Sequence, residues 1–312
     1  MEHDVNGLHH VGHIVHDLDQ AMECYRRLGF TVAAPAYPVL PAVPGGPAEP
    51  FGVANAHVHL QRGFVELVAV LGDGGHVPDG ARPIPLRVPD DKVAGLREAI
   101  GATAANITSF LRRFQGVHIM FADTSGLDGV AARLTAGGDG HGGVHDIQRP
   151  VETPTGTTME PARYLEISEP GLPPGSVPEG RVGFAENAPL TTPLPTGHPN
   201  GATGLVGCVL CVADPALPGV ERRYGRYFGR ATRSGRADVT VVAASALGDL
   251  LPGERPPALP AFAAYAVAVR DLEAAGKLLR GNGVPVVRTG PAELFVPAAA
   301  ALGVAIVFRQ DG

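Results

Sequence analysis

The stretch HHVGHIVHDLDQAMECYRRLGF, residues 9–30, carries two periods in succession. Apolar residues alternate through Val11 and Val15, as in a half-buried strand. From Asp17 onward Leu18, Met22, Tyr25 and Leu28 recur at helical spacing, and Gly29 ends the run. Asp17 stands where a side-chain oxygen can cap the first turn. The same plan returns in VHIMFADTSGLDGVAARLTAGG (117–138), CVLCVADPALPGVERRYGRYFG (208–229) and YAVAVRDLEAAGKLLRGNG (265–283), with Asp123, Asp214 and Asp271 at the junctions. Short strand candidates follow the helices: 53–60 and 64–70 in the first unit, 294–297 and 304–308 in the last. One unit is therefore a strand, a helix and about three more strands, and self-similarity of this kind marks a chain assembled from repeated modules.

The rest of the chain is compatible with that plan. With 312 residues, at about 100 to 200 per domain, it has room for two domains. Charged residues are 18% and hydrophobic ones 45%, a globular balance; 42 Gly and 30 Pro imply many tight turns. The net charge of −6 and the lack of an arginine-rich stripe argue against nucleic acid as a partner. The N-terminus is charged, and no run reaches the roughly 18 to 20 apolar residues of a membrane span, so a cytoplasmic location with no membrane partner is expected. Cys24, Cys208 and Cys211 are too few for a disulfide framework. Cys208 and Cys211, three apart in an apolar strand, would point to opposite faces and read as core cysteines.

The interval between Asp17 and Asp123 accommodates a Pro-rich loop at 35–50 and a helix from about Asp91 to Phe114. From Pro170 to Asn200 the composition turns to Pro, Gly and Thr. The expected division is a first module pair at 1–185 (modules at about 1–85 and 115–185), a linker at 186–200, and a second pair at 201–312.

The sequence resembles the vicinal oxygen chelate superfamily, in particular bacterial glyoxalase-like domain proteins. The residues that carry the likeness are LHHVGHIVHDL (8–18), GVAN (52–55), GFVELV (63–68), RPVETP (149–154) and RYLEI (163–167). The likeness covers the first half well and the second by module pattern only. It implies an α+β fold of four βαβββ modules in two pairs, each pair curving into an open cup. It also implies a metal ligand from the first strand of a module and a glutamate from its last. The matching residues are His10 and Glu66, then His118 and Glu166.

Side-chain direction bears on that set. On a regular strand His10 shares a face with Gly12 and Ile14, opposite His9, Val11 and His13. Glu66 and Glu166 sit in apolar strands, where a carboxylate is expensive without compensation. His10 lies seven residues before Asp17 but His118 only five before Asp123; a shift of two keeps the face. Two imidazoles with one or two carboxylates suit one divalent ion of Fe, Mn, Ni, Co or Zn. The last 114 residues contain no histidine, so the second pair is expected to be scaffold, lid or dimer surface. His57 and His59 share a strand face and are candidate substrate contacts, as are Gln148 and Arg149.

The expected function is metal-dependent isomerase or lyase chemistry on a small substrate chelating through adjacent oxygens, with Glu66 or Glu166 moving the proton. The runner-up is an Fe(II) extradiol-type dioxygenase using His10, His118 and Glu166. The third reading is a non-catalytic small-molecule or drug-binding protein. Four modules in one chain permit a monomer or a homodimer.

Overall fold

The computed structural model describes residues 5–43, 45–71, 76–86, 88–153, 156–187, 196–229 and 238–311; for 149–153, 156–158 and 238 it describes the backbone alone. The first module comprises β1 (Gly7–Ile14), α1 (Leu18–Arg27), β2 (Ala36–Pro41), β3 (Ala48–Pro50), β4 (Val53–His59), β5 (Phe64–Val70) and β6 (Arg82–Pro85). A long helix, α2 (Val93–Arg113), follows it. The second has β7 (Gly116–Asp123), α3 (Leu127–Ala136), β8 (His145–Thr153), β9 (Gly156–Glu166) and β10 (Arg181–Asn187). The third has β11 (Ala202–Val212), α4 (Leu217–Phe228) and β12 (Asp238–Ala243), then the short α5 (Leu247–Leu250). The fourth has β13 (Ala261–Val269), α6 (Leu272–Gly281), β14 (Val287–Gly290), β15 (Glu293–Val296) and β16 (Ala305–Gln310). The fold is mixed α+β and fits paired modules. The third is abbreviated: among the described residues it contributes two strands, not four.

Asp17 and Asp271 cap their helices as expected, accepting from the backbone N–H of Gln20 and Ala274. The other two junction aspartates do not cap. Asp214 accepts from Ser245 N–H, and Asp123 from the Asn6 side chain, while α3 starts only after a longer turn through Thr124, Ser125 and Gly126.

Modules pair through their first strands. β1 runs antiparallel to β7, giving the order β8-β9-β10-β7-β1-β5-β4-β2, and β11 runs antiparallel to β13, giving β12-β11-β13-β16-β15-β14. A Val117–Phe262 pairing between β7 and β13 joins the halves into one sheet. Residues of α1, α3, α4 and α6, among them Tyr25, Val130, Tyr224 and Leu279, belong to one apolar cluster, so the halves share a core. Cys208 lies in that cluster and Cys211 in another on the opposite sheet face, and all three cysteines are free and buried.

The linker expectation is modified. Within the Pro170–Asn200 stretch β10 forms a paired strand, because Val182, Phe184 and Ala185 supply an apolar run that the surrounding prolines obscure. After residues 188–195, which lie outside the described residues, His198 and Asn200 are buried. The His198 ring takes Thr31 N–H on Nδ1 and donates from Nε2 to the His59 carbonyl. Among the described residues no helix is long and apolar enough to cross a membrane.

Candidate functional site

The cup of the first half holds a cavity of about 1250 Å³ lined by β1, β4, β5, β7 and β10. The Pro-rich segment forms part of its wall, through Tyr37 and Pro38 of β2. Two irregularities in the β1–β7 ladder decide which side chains face the cup. On β1, Leu8 pairs with Ala122 and His10 with Phe121, leaving His9 as an extra residue. An inserted residue breaks the alternation of faces, so His9 and His10, expected on opposite faces, both line the cup. Their Nδ1 atoms are 2.7 Å apart, one ring donating to the other. The His10 ring is stacked against Phe64 and Phe121, with centroids 4.8 Å away in each case. Burial, with neighbouring positive or protonatable groups, holds His10 well below the usual imidazole range.

The second irregularity removes His118. Gly12 pairs with Ile119 and His13 with Val117, so His118 is the extra residue of β7. Its ring stacks on Phe110 at 5.1 Å and packs against Phe114 at 4.3 Å; both come from α2 and its C-terminal cap. Nε2 donates to the Phe114 carbonyl at 2.9 Å, the side chain is fully buried, and it does not line the cup. A two-residue shift preserves the face only on a regular strand, and here the bulge and the packing of α2 turn the His118 ring away.

Glu66 and Glu166 have different surroundings. Glu66 projects into the cup from β5, opposite His57 of β4. Its Oε1 accepts from Asn55 Nδ2 at 3.0 Å and lies 4.0 Å from His57 Nε2; Oε2 has no hydrogen bond among the described residues. Desolvation raises the Glu66 pKa, against the opposing pull of the Asn55 hydrogen bond and the Arg181 charge. His57 is pushed down to about 4 by burial, so near neutrality it is a neutral imidazole beside a carboxylate and not half of an ion pair. Glu166 Oε1 instead accepts from Arg181 Nε at 2.7 Å and is also met by Nη2, and Gly175 packs so closely that a Cβ there would lie 2.6 Å from Oε2.

Members of the superfamily commonly use a divalent metal, and a metal needs lone pairs that converge. Among the described residues no three His, Cys, Asp or Glu side chains are grouped to hold an ion. His118 is turned into the α2 contact and the Glu166 carboxylate is engaged by Arg181, so His10, Glu66, His118 and Glu166 do not form the expected set. The smaller His10, His118 and Glu166 set meets the same obstacle.

His57 and His59 line the cup with rings 5.3 Å apart, and Gln148 lines it from β8. Arg149 follows on β8, and its side chain lies outside the described residues. Arg181, Asn55, Phe64, Phe121 and Asn187 also line the cavity and were not singled out from sequence. Asn55 was within reach of it, since period two places Asn55, His57 and His59 on one face. Arg181 was not, because its strand lies in a segment whose composition reads as a connection.

The glyoxalase-like domain family profile matches residues 8–227. The chain belongs to that family, within the vicinal oxygen chelate superfamily. A comparison with curated proteins finds no match. Among solved structures, a hypothetical protein from Staphylococcus aureus aligns over 97% of this chain and 99% of its own, at 9% identity and TM-score 0.54. A mutant 4-hydroxymandelate synthase from Streptomyces coelicolor aligns over 98% and 93%, at 12% identity and TM-score 0.57. Methylmalonyl-CoA epimerase from Mycobacterium tuberculosis is 20% identical over 61% of this chain and 93% of its own, but at a TM-score of 0.33 it carries no argument. At these identities the likenesses speak to the fold alone.

Proposed function

We propose that this glyoxalase-like protein is an enzyme that moves a proton at a carbon next to a carbonyl of a small molecule, with Glu66 as the base. The observation that carries this reading is the Glu66 carboxylate itself. It is half-buried in the wall of a large cup and fixed through one oxygen by Asn55, with the other oxygen uncommitted among the described residues. Glu166 differs in that its bonded oxygen is met by a cation, the Arg181 guanidinium, and not by a neutral amide. Desolvation makes Glu66 a stronger base than a surface glutamate, and an Asn partner stabilises the anion less than a cation would.

When the proton leaves carbon, negative charge grows on the carbonyl oxygen. The neutral imidazoles of His10 and His57 and the Arg181 guanidinium supply fixed donors for it in a partly desolvated space. No step is routed through a metal, since the expected ligands do not converge.

The test needs no knowledge of the final product. The protein is incubated in D₂O with a panel of 2-oxo acids and their esters, and wash-in of deuterium at the carbon beside the carbonyl is followed by proton NMR. Wild type accelerates exchange in at least one compound, and Glu66→Gln lowers that rate about 100-fold or more. Exchange that survives in Glu66→Gln within a few-fold would remove Glu66 as the base.

A further inference from the structure

We propose that the cup selects an amphiphilic carboxylic acid, its carboxylate docked on Arg181 and its body on the aromatic floor, with Glu166 as the residue that positions the guanidinium. This rests on the cup being the substrate site, as argued above, and it names the substrate class.

Two of the cup arginines are occupied differently. Arg163 is committed to three carboxylates: Nη1 to Glu186 at 3.0 Å, Nη2 to Asp128 at 2.9 Å and Nε to Asp146 at 3.2 Å. Arg181 is held along one edge only. Its Nε and Nη2 both meet Oε1 of Glu166, which leaves Nη1 without a hydrogen bond among the described residues. A guanidinium has five N–H donors in a rigid plane, so fixing one edge from behind orients the remaining donors without using them up. The Glu166 carboxylate is in turn packed against Gly175, where any side chain would collide. This is a supported donor, and its charge is close enough to act on both Glu66 and His10.

The body of the ligand is indicated by the floor. Phe64, His10 and Phe121 form a stacked run across β5, β1 and β7, and Ile119 and Leu205 extend the apolar lining. At about 1250 Å³ the cavity exceeds the roughly 300 to 1,000 Å³ of ordinary small-molecule sites, too much space for a compact diacid or dicarbonyl alone. A carboxylate on Arg181 also puts the bound acid in the neighbourhood of Glu66, so that recognition and proton abstraction share one end of the cup.

The probe pair is 2-naphthoate and 2-naphthamide, equal in shape and different in charge, titrated calorimetrically against the full-length protein. Wild type is expected to prefer the acid about tenfold or more, the worth of a charge-assisted hydrogen-bond pair. Arg181→Gln abolishes the preference, Arg181→Lys keeps part of it, and circular dichroism verifies that both variants are folded. Glu166→Gln lowers the preference while leaving naphthamide affinity unchanged, which a merely structural role for Glu166 would not produce. Equal binding of the two probes by wild type, failure of naphthoate to bind at millimolar concentration, or an undiminished preference in folded Arg181→Gln overturns the proposal. In Glu66→Gln the preference persists or grows because a competing negative charge is gone. Loss of the base assignment and loss of this proposal are thus read on different variants.

Discussion

At the scale of single residues, Glu66 combines partial burial with an incomplete set of partners, and that has a consequence for stability. Its pKa is raised above the ordinary 4.5 in the folded state by desolvation. A group whose folded pKa is raised stabilises the fold below its unfolded pKa, and that contribution is lost as pH rises through the folded value. At pH 7 Glu66 therefore burdens the fold. Glu66→Gln, which cannot ionise, is expected to raise the denaturation midpoint at pH 7, with the gain shrinking toward pH 4. Thermal melts at the two pH values check this, and a destabilised Glu66→Gln with the same deficit at both would refute it. Part of this was legible in advance: a period of two put His57 and His59 on one strand face, and the family resemblance pointed to His10 and Glu66, all four of which line the cup. Arg181 was hidden by composition, since Pro- and Gly-rich surroundings mask a short strand whose pairing is set by tertiary contacts.

At the scale of elements, strand irregularity decides which of the expected ligands reach the cup. One inserted residue in β1 adds His9 to the cup, and one in β7 takes His118 out of it. A bulge leaves no mark in a hydrophobic pattern, because the alternation is broken by a single position and resumes. The α2 helix was legible from sequence, but that its Phe110 would stack on the His118 ring was not. His118 and His13 are both fully buried and both pushed down to about 4 from 6.5, chiefly by desolvation. Folded protein keeps these rings neutral while unfolded chain protonates them. Stability therefore falls as pH drops from about 6.5 toward 4, each ring adding up to about 1.4 kcal/mol per pH unit. Denaturant titrations across that range should show a shallower fall for His118→Gln than for wild type, with the deuterium exchange rate kept within about threefold. An unchanged slope, or abolished exchange, would put His118 back in the functional site.

At the scale of the whole molecule, the two halves have the same pairing of first strands and opposite uses of the space beside them. In the first half the cup is open, with an aromatic floor and a few polar groups, Glu66 and Arg181 among them. In the second, Leu247 and Leu251 pack into a cluster with Val209, Phe295 and Val307, so that sheet face is filled. Leu205 and Val206 of β11 nonetheless line the first cup, beside the Arg62–Gly204 bridge. Leu247→Ala is expected to cost about 2 to 5 kcal/mol of stability while leaving the naphthoate affinity of the folded protein unchanged. Urea unfolding and calorimetry test the two halves of that statement. A large loss of affinity in folded Leu247→Ala would mean that the filled half is coupled to the cup beyond its wall contacts. The module plan and the helix positions could be read from periodicity. The abbreviated third module could not, because the residues after α4 give no strong signal of either period.

The account depends most on Glu66 being an uncommitted, desolvated carboxylate. Carbon-13 NMR of protein labelled at the glutamate carboxyls, with the resonance assigned by its loss in Glu66→Gln, measures its titration directly. The account predicts a midpoint above 4.5 that rises further in Asn55→Leu, where the one anchoring hydrogen bond is removed. A midpoint at or below 4.5, unmoved by the Asn55 substitution, would contradict it.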